Sequence, residues 1–70
     1  MIVQYNPKTD LLYLRIDTAK QQLINRQIAD DIVLDIGNDD KIVGIKILDA
    51  SRKVDLKSFL PANYLMEEVV

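Results

Sequence analysis

The stretch of sequence that decides the fold reads Ile32-Val33-Leu34-Asp35-Ile36-Gly37-Asn38-Asp39-Asp40-Lys41-Ile42-Val43-Gly44-Ile45-Lys46-Ile47-Leu48. β-Branched residues dominate both flanks and recur at every second position, as they do in a strand with one buried face. The middle holds glycine, asparagine and aspartate, which favour turns. The stretch therefore predicts an antiparallel β-hairpin, with strands over 32–36 and 42–48.

Another hairpin is predicted near the start of the chain. Residues 2–5 and 11–16 alternate like strands. The short loop between them contains Pro7, whose fixed φ suits a turn. On the second of these strands, Leu12 and Leu14 are expected to share the aliphatic face of the sheet, because side chains two residues apart point the same way.

The segment between the two hairpins is the least readable part of the chain. For residues 17–29, a loop, a helical turn and a strand all remain open. We interpret the segment as mostly irregular, with a short strand over 26–29. Asp30 and Asp31 are expected to end that strand, because aspartate is depleted in strands.

The pattern changes after the second hairpin. Residues 49–51 are expected to leave the sheet. Asp55 is expected to cap a helical turn over 56–60, and Pro61 suits the first turn of a final helix over 62–69.

These elements predict one α+β domain over residues 1–70. A small antiparallel β-meander of about four strands occupies residues 2–48. An exit loop and a C-terminal helical segment occupy residues 49–70, with a short helix packed on or beside the sheet.

Composition excludes several classes of protein. The chain has 70 residues, no cysteine and no histidine, so disulfides are impossible and a zinc site is disfavoured. A formal net charge of −2 argues against nucleic acid as a partner. No apolar run approaches the ~20 residues of a membrane span. With no signal peptide in the sequence, we expect a cytoplasmic protein that does not associate with membranes.

The predicted sheet has one face that is nearly all aliphatic and a second face that is mixed. On the second face, apolar residues stand beside Arg15, Asp35 and Lys46. One short helix cannot cover two apolar faces, so the chain is expected to form a homodimer or higher oligomer, or to bind a small protein partner. The candidate interface residues are Leu11, Tyr13, Val33, Ile42 and Leu48.

Catalytic and cofactor sites find little support. The aspartates lack the order of a calcium-binding loop and are interpreted as turn and solubilising residues. Ser51 with Lys53, or Ser58 with Lys57, offers a serine–lysine pair without a histidine base. Gly44, inside a strand, is interpreted as making room for an aromatic ring such as that of Tyr13. We expect no cofactor, no metal and no enzymatic activity.

Two segments together resemble a known family. Residues 5–14, Tyr-Asn-Pro-Lys-Thr-Asp-Leu-Leu-Tyr-Leu, and residues 42–51, Ile-Val-Gly-Ile-Lys-Ile-Leu-Asp-Ala-Ser, are similar to the start and the later segment of the DUF2283 family of short bacterial proteins of unknown function. The resemblance covers about residues 2–51. The chain departs from the family pattern at Lys41, where glycine is frequent, and at Lys46, where glutamate is frequent.

The resemblance implies a small bacterial cytoplasmic protein and transfers no catalytic residue. Some members are encoded beside other small proteins in a toxin–antitoxin-like arrangement. The preferred hypothesis is a non-enzymatic protein–protein interaction or assembly module. The alternative is an antitoxin-like subunit whose segment 49–70 wraps a toxin. A metal- or ligand-dependent enzyme is the third and least favoured hypothesis.

Overall fold

The computed structural model describes residues 1–59 and Leu65–Met66. Within these residues, six strands and two short α-helices follow one another along the chain. They are β1 (Ile2–Asn6), β2 (Leu11–Arg15), β3 (Ile24–Ala29), β4 (Ile32–Ile36), β5 (Ile42–Ile47), α1 (Ala50–Lys53), α2 (Leu56–Phe59) and β6 (Leu65–Met66).

The strands form one sheet in the order β3-β4-β5-β2-β1-β6. The first five strands are antiparallel, and the two-residue β6 pairs in parallel with β1. The prediction of a small antiparallel sheet with helical structure after it is confirmed. The prediction of about four strands, one helix and a meander is wrong in detail, because the sheet has more strands and β2 pairs with β5 rather than with its successor.

The position of β5 at the centre of the sheet explains this topology. Leu12 lies opposite Ile47 and Leu14 opposite Ile45, so β2 supplies aliphatic partners on one side of β5. Leu34 of β4 also lies opposite Ile45, on the other side. The most apolar strand is therefore covered on both edges, which a simple meander would not achieve.

The predicted hairpin of residues 32–48 is confirmed as β4 and β5. A register shift between Asp35 and Ile36 sets Ile42 opposite Ile36. Residues opposite each other in an antiparallel pair share a face. Ile42 therefore lies on the aliphatic face, whereas the alternation had predicted it beside Gly44 on the other face.

The hairpin turn uses aspartate for its left-handed positions. Asp39 and Asp40 have φ values of 59° and 58°, a conformation that aspartate adopts more readily than most residues. Gly37 has a negative φ. A Cβ at this glycine would lie 2.9 Å from Cγ1 of Val43 and would also meet the side chain of Gln21. Gly37 thus provides room for neighbouring side chains.

A loop carries the chain from β2 to β3 at the edge of the sheet. Arg15 holds the loop by donating hydrogen bonds to the carbonyl oxygens of Asp17 and Ala19. The Asp17 carboxylate accepts hydrogen bonds from the Ala19 N–H at 2.9 Å and from the Gln21 amide at 3.2 Å. The strand that follows begins at Ile24 instead of the predicted residue 26, because pairing with β4 continues to Ile36.

The segment after β5 contains more structure than the predicted exit loop. The Ala50 N–H donates a hydrogen bond of 2.9 Å to the Asp10 carbonyl, which fixes α1 beside the turn between β1 and β2. The predicted helical turn over 56–60 is confirmed in its described part as α2. The predicted final helix over 62–69 is wrong at Leu65–Met66, which form β6, because backbone pairing with β1 is available there. The rest of that predicted helix lies outside the described residues, as does Tyr64.

Few apolar side chains are fully buried. In residues 1–58, the buried hydrophobic residues are Leu12, Ile36, Val43 and Ala50. Large exposed apolar side chains are concentrated at β3 and at the adjoining ends of β2 and β5: Ile16, Leu23, Ile24, Ile28 and Ile42. Neither α1 nor α2, the helices of the described part of the chain, is long and apolar enough to cross a membrane.

Candidate functional site

A buried carboxylate organises the mixed face of the sheet. Asp35, in β4, is only 2% exposed. Its Oδ2 accepts a hydrogen bond of 2.8 Å from the Tyr13 hydroxyl, and its Oδ1 accepts one from the Asn25 amide. The Lys46 ammonium lies 3.5 Å from Oδ1. Burial of a charged carboxylate is costly unless it is hydrogen-bonded and paired, and Asp35 meets both conditions.

The Tyr13 ring reaches Asp35 because the intervening residue is glycine. Arg15 and Asp35 both lie opposite Gly44 in the register. A Cβ on Gly44 would come within 2.7 Å of the Tyr13 hydroxyl and 3.1 Å of Oδ2 of Asp35. The predicted packing of Tyr13 over Gly44 is therefore confirmed, and Gly44 serves this contact rather than a turn.

The electrostatics of this network keep the tyrosine protonated. Desolvation and the hydrogen bond to Asp35 raise the pKa of Tyr13 above its ordinary value of 10.0, partly offset by Arg15. The Lys46 ammonium lies 5.8 Å from the centre of the Tyr13 ring, within the range of a cation–π contact. The hydroxyl thus acts as a hydrogen-bond donor at neutral pH.

A second polar cluster joins the start of the sheet to α1. The Tyr5 hydroxyl donates a 2.7 Å hydrogen bond to Oδ1 of Asp10. Ser51 donates to the same carboxylate twice, from its N–H at 3.0 Å and from its hydroxyl at 2.6 Å. These hydrogen bonds, led by that of the Ser51 hydroxyl, lower the pKa of Asp10 below 3.8. The hydrogen bond to Asp10 is also the main reason why the pKa of Tyr5 lies above 10.0.

The serine–lysine pairs considered from the sequence do not form hydrogen-bonded pairs. The Ser51 hydroxyl is committed to Asp10, and the Ser58 hydroxyl donates to Oδ2 of Asp55 at 2.9 Å. Lys53 lies 2.7 Å from Oδ2 of Asp31. Each serine is therefore oriented by a carboxylate, an arrangement that suits local structure. Within the described residues, no three acidic side chains cluster as metal ligands would.

Two open grooves flank Tyr13 on the mixed face. The larger has a volume of about 470 Å³ and runs beneath the loop between β2 and β3, with Gln4 and Arg15 in its wall. The smaller, of about 150 Å³, is lined by Asn6, Leu11 and Lys46 among others. Arg15, in the wall of the larger groove, is already engaged in hydrogen bonds that hold the loop.

The five candidate interface residues are divided between two places. Leu11, Tyr13, Val33 and Leu48 lie on the mixed face around Lys46, where Tyr13 and Val33 are both opposite Lys46. Leu11, Tyr13 and Val33 are half-buried, and Leu48 is 37% exposed. Ile42 lies on the aliphatic face at the other end of β5. Their role in an interface remains a prediction.

Three exposed isoleucines lie in or beside β3, at one edge of the sheet. Ile24 is 63% exposed, Ile28 is 56% and Ile42 is 46%. Ile24 and Ile42 are both opposite Ile36, so they adjoin across β4. We call Ile24, Ile28 and Ile42 the isoleucine surface. The sequence pattern does not predict the contribution of β3 to this surface, because residues 17–29 are interpreted as mostly irregular.

The family comparison matches the part of the chain that contains the five antiparallel strands and both polar clusters. A family model described as a protein of unknown function (DUF2283) matches residues 2–51. The chain belongs to the DUF2283 family. No curated protein and no solved structure matches this DUF2283 chain.

The two segments that carried the resemblance to DUF2283 meet in space. Asp10 belongs to the first segment and Ser51 to the second, and they are joined by two hydrogen bonds. Tyr13 and Gly44 also come from the two segments and are packed together. The motif residues of this DUF2283 chain thus join β1 and β2 to β5 and α1. They explain how the fold is held, without indicating a catalytic reaction.

Proposed function

We propose that this chain is a non-enzymatic, cytoplasmic assembly module that associates with a second copy of itself through the isoleucine surface. The observation that carries the proposal is the exposure of Ile24 and Ile28, at 63% and 56%, on a strand at the edge of the sheet. Exposed apolar area of this kind favours association, because burial removes it from water.

The small core supports the same conclusion. Domains of this size bury a modest fraction of their surface and commonly gain stability from disulfides, metals or partner subunits. Cysteine is absent from the chain. Burying Ile24 and Ile28 against another copy would stabilise the dimer by about 25 cal/mol for each Å² of apolar surface removed from water.

The isoleucine surface is favoured over the candidate interface on the mixed face. On the mixed face, Tyr13 and Lys46 are already engaged by Asp35. A partner there would have to desolvate these polar groups, which costs free energy. Around Ile24 and Ile28, apolar side chains are exposed and Arg26 is the one charged residue of β3.

The antitoxin-like alternative depends on the segment after residue 49 wrapping a partner. Two described parts of that segment instead contact the hairpin of β1 and β2 in this chain. Ala50 is hydrogen-bonded to Asp10, and β6 pairs with β1. These contacts favour the assembly module over the antitoxin-like subunit.

Sedimentation velocity of matched lysine variants tests the proposed surface. The Ile24→Lys variant should be more monomeric than the wild type, because the charged lysine side chain would have to be desolvated in the interface. Leu48→Lys is the matched control, since Leu48 is also an exposed aliphatic residue but lies on the mixed face. If Leu48→Lys abolishes association and Ile24→Lys does not, the proposed surface is wrong and the candidate interface on the mixed face is favoured.

A further inference from the structure

The strand β3 has a chemically palindromic sequence. Ile24-Asn25-Arg26-Gln27-Ile28 reads as aliphatic, amide, cation, amide, aliphatic from either end. Its inner edge pairs with β4, and within the described residues no strand pairs with its outer edge. A strand edge presents backbone N–H and C=O groups that can pair with another strand.

We propose that β3 pairs antiparallel with β3 of a second copy about a two-fold axis through Arg26. This inference rests on the proposed assembly role and specifies how the two copies meet. A two-fold interface is isologous, so each residue meets its counterpart in a self-complementary arrangement. In an antiparallel pair centred on Arg26, Ile24 of each copy lies opposite Ile28 of the other, and Asn25 lies opposite Gln27.

The proposed pairing places similar faces of the two copies on the same side. Opposite residues in an antiparallel pair share a face, so Ile24 of one copy and Ile28 of the other would form an apolar pair at each end of the contact, with the two arginines between the pairs. The half-buried Leu34, which lies opposite Arg26 in β4, borders the centre of the contact in each copy. The two sheets would join into one continuous sheet, as occurs when an extended strand is added to an exposed edge.

The register of β3 against β4 shifts at a β-bulge between Gln27 and Ala29, and a bulge in an edge strand hinders further pairing. Arg26 also opposes this arrangement. It would lie opposite its own counterpart, and like charges directly opposite are destabilising. The ion pairs formed among the described residues, Asp35–Lys46 and Asp31–Lys53, do not involve Arg26. Charged residues also protect edge strands from uncontrolled pairing. The two positions where isoleucine meets isoleucine, together with the new backbone hydrogen bonds, outweigh this single repulsive pair.

The charge of Arg26, which lies on the proposed two-fold axis, provides a test that is specific for the register of the two β3 strands. Mixing the full-length wild type with Arg26→Glu in equal amounts should give heterodimers above the statistical half, because glutamate then lies opposite arginine. Native mass spectrometry measures the fraction. Arg26→Gln should tighten the homodimer by about two- to five-fold, since it removes the repulsive pair. Lys8→Glu is the matched control, because Lys8 is exposed in the turn between β1 and β2, and its mixture should stay statistical.

The outcomes separate this inference from the proposed function. An excess of the heterodimer between wild type and Arg26→Glu, with a tighter Arg26→Gln dimer, supports the register. A wild-type dimer that Ile24→Lys disrupts, with statistical mixing and no effect of Arg26→Gln, overturns the β3 pairing and leaves the assembly role standing. A monomer in wild type and Arg26→Gln alike at high micromolar concentration overturns both. Because Arg26 is exposed, these variants should fold, and far-ultraviolet circular dichroism checks this.

Discussion

The Tyr13 hydroxyl donates a hydrogen bond of 2.8 Å to the carboxylate of Asp35, across the central strand of the sheet. The contact joins β2 to β4, which are separated by β5. It is made over Gly44, the one position of the central strand without a side chain. Asp35 also contacts Asn25 of β3 and Lys46 of β5. A buried polar group with specific partners on three other strands fixes the order and register of those strands.

Removal of the Asp35 carboxylate should destabilise the fold more than removal of its ionic partner. Asp35→Ala leaves the hydroxyl of Tyr13 without its acceptor, so we expect a loss of about 2–3 kcal/mol in the free energy of unfolding. Lys46→Ala should cost about 0–1 kcal/mol, because the lysine side chain is 34% exposed and the ion pair is long at 3.5 Å. Urea unfolding of the two variants measures both values, and equal losses would contradict this ranking.

Gly44→Ala should destabilise the protein through the Tyr13 hydroxyl. The added methyl group would lie 2.7 Å from that oxygen, so the ring must shift, at a cost of about 1–3 kcal/mol. In a Tyr13→Phe background the same substitution should cost less, because the clashing atom is absent. A double-mutant cycle measured by urea unfolding gives the coupling. Additive effects of the two substitutions would show that Gly44 does not act through Tyr13.

Asp10→Asn should lower the urea midpoint of unfolding. The substitution removes the charge that accepts hydrogen bonds from Tyr5 and Ser51. Asp39→Asn is the control, because Asp10 and Asp39 both have a positive φ, which asparagine tolerates, and Asp39 is exposed. An equal fall in both variants would mean that the Asp10 contacts do not stabilise the folded state.

Stability should decrease at acidic pH through three aspartates. Hydrogen bonds hold the pKa values of Asp10, Asp17 and Asp31 below 3.8, from Ser51, from the Ala19 N–H and from Lys53 respectively. Because the unfolded chain binds protons more readily, this stabilisation is present above pH 3.8 and is lost as the pH falls through the folded values. Urea unfolding against pH should show the loss, and it should be smaller in Asp10→Asn.

At alkaline pH, stability should instead decrease as the pH rises. The pKa of Tyr13 is raised chiefly by burial, that of Tyr5 by its hydrogen bond to Asp10, and that of Lys53 by Asp31. Stabilisation from these groups is present below their ordinary values of 10.0 and 10.5 and is lost as the pH rises through the higher folded values. A stability profile that rises above pH 10 would contradict the tyrosine and lysine contacts.

The sequence predicted the central hairpin well because its signals are local. β-Branched alternation on both sides of a cluster of turn residues determines β4 and β5 without reference to the rest of the chain. The interpretation of Gly44 as making room for Tyr13 is also confirmed, since a glycine within a strand indicates a close approach. The helical turn after Asp55 likewise depended on a local capping signal.

The order of the strands depended on contacts that no local pattern contains. The pairing of β2 with β5 follows a long loop held by Arg15 and Asp17. The sequence predicted only residues 26–29 of β3. An exposed edge strand need not alternate between apolar and polar residues, so its first residues carry no clear strand pattern. The burial of Asp35 depends on Tyr13, Asn25 and Gly44 from three other strands. Asp35 lies opposite Gly44 in the hairpin, and this pairing was the signal that could have identified Asp35 as a buried residue.

The concentration dependence of wild-type sedimentation tests the central claim most directly. An assembly module that pairs through Ile24 and Ile28 should sediment with the mass of a dimer at high micromolar concentration and dissociate towards monomer on dilution. A sedimentation coefficient that stays at the monomer value throughout the high micromolar range would contradict the account.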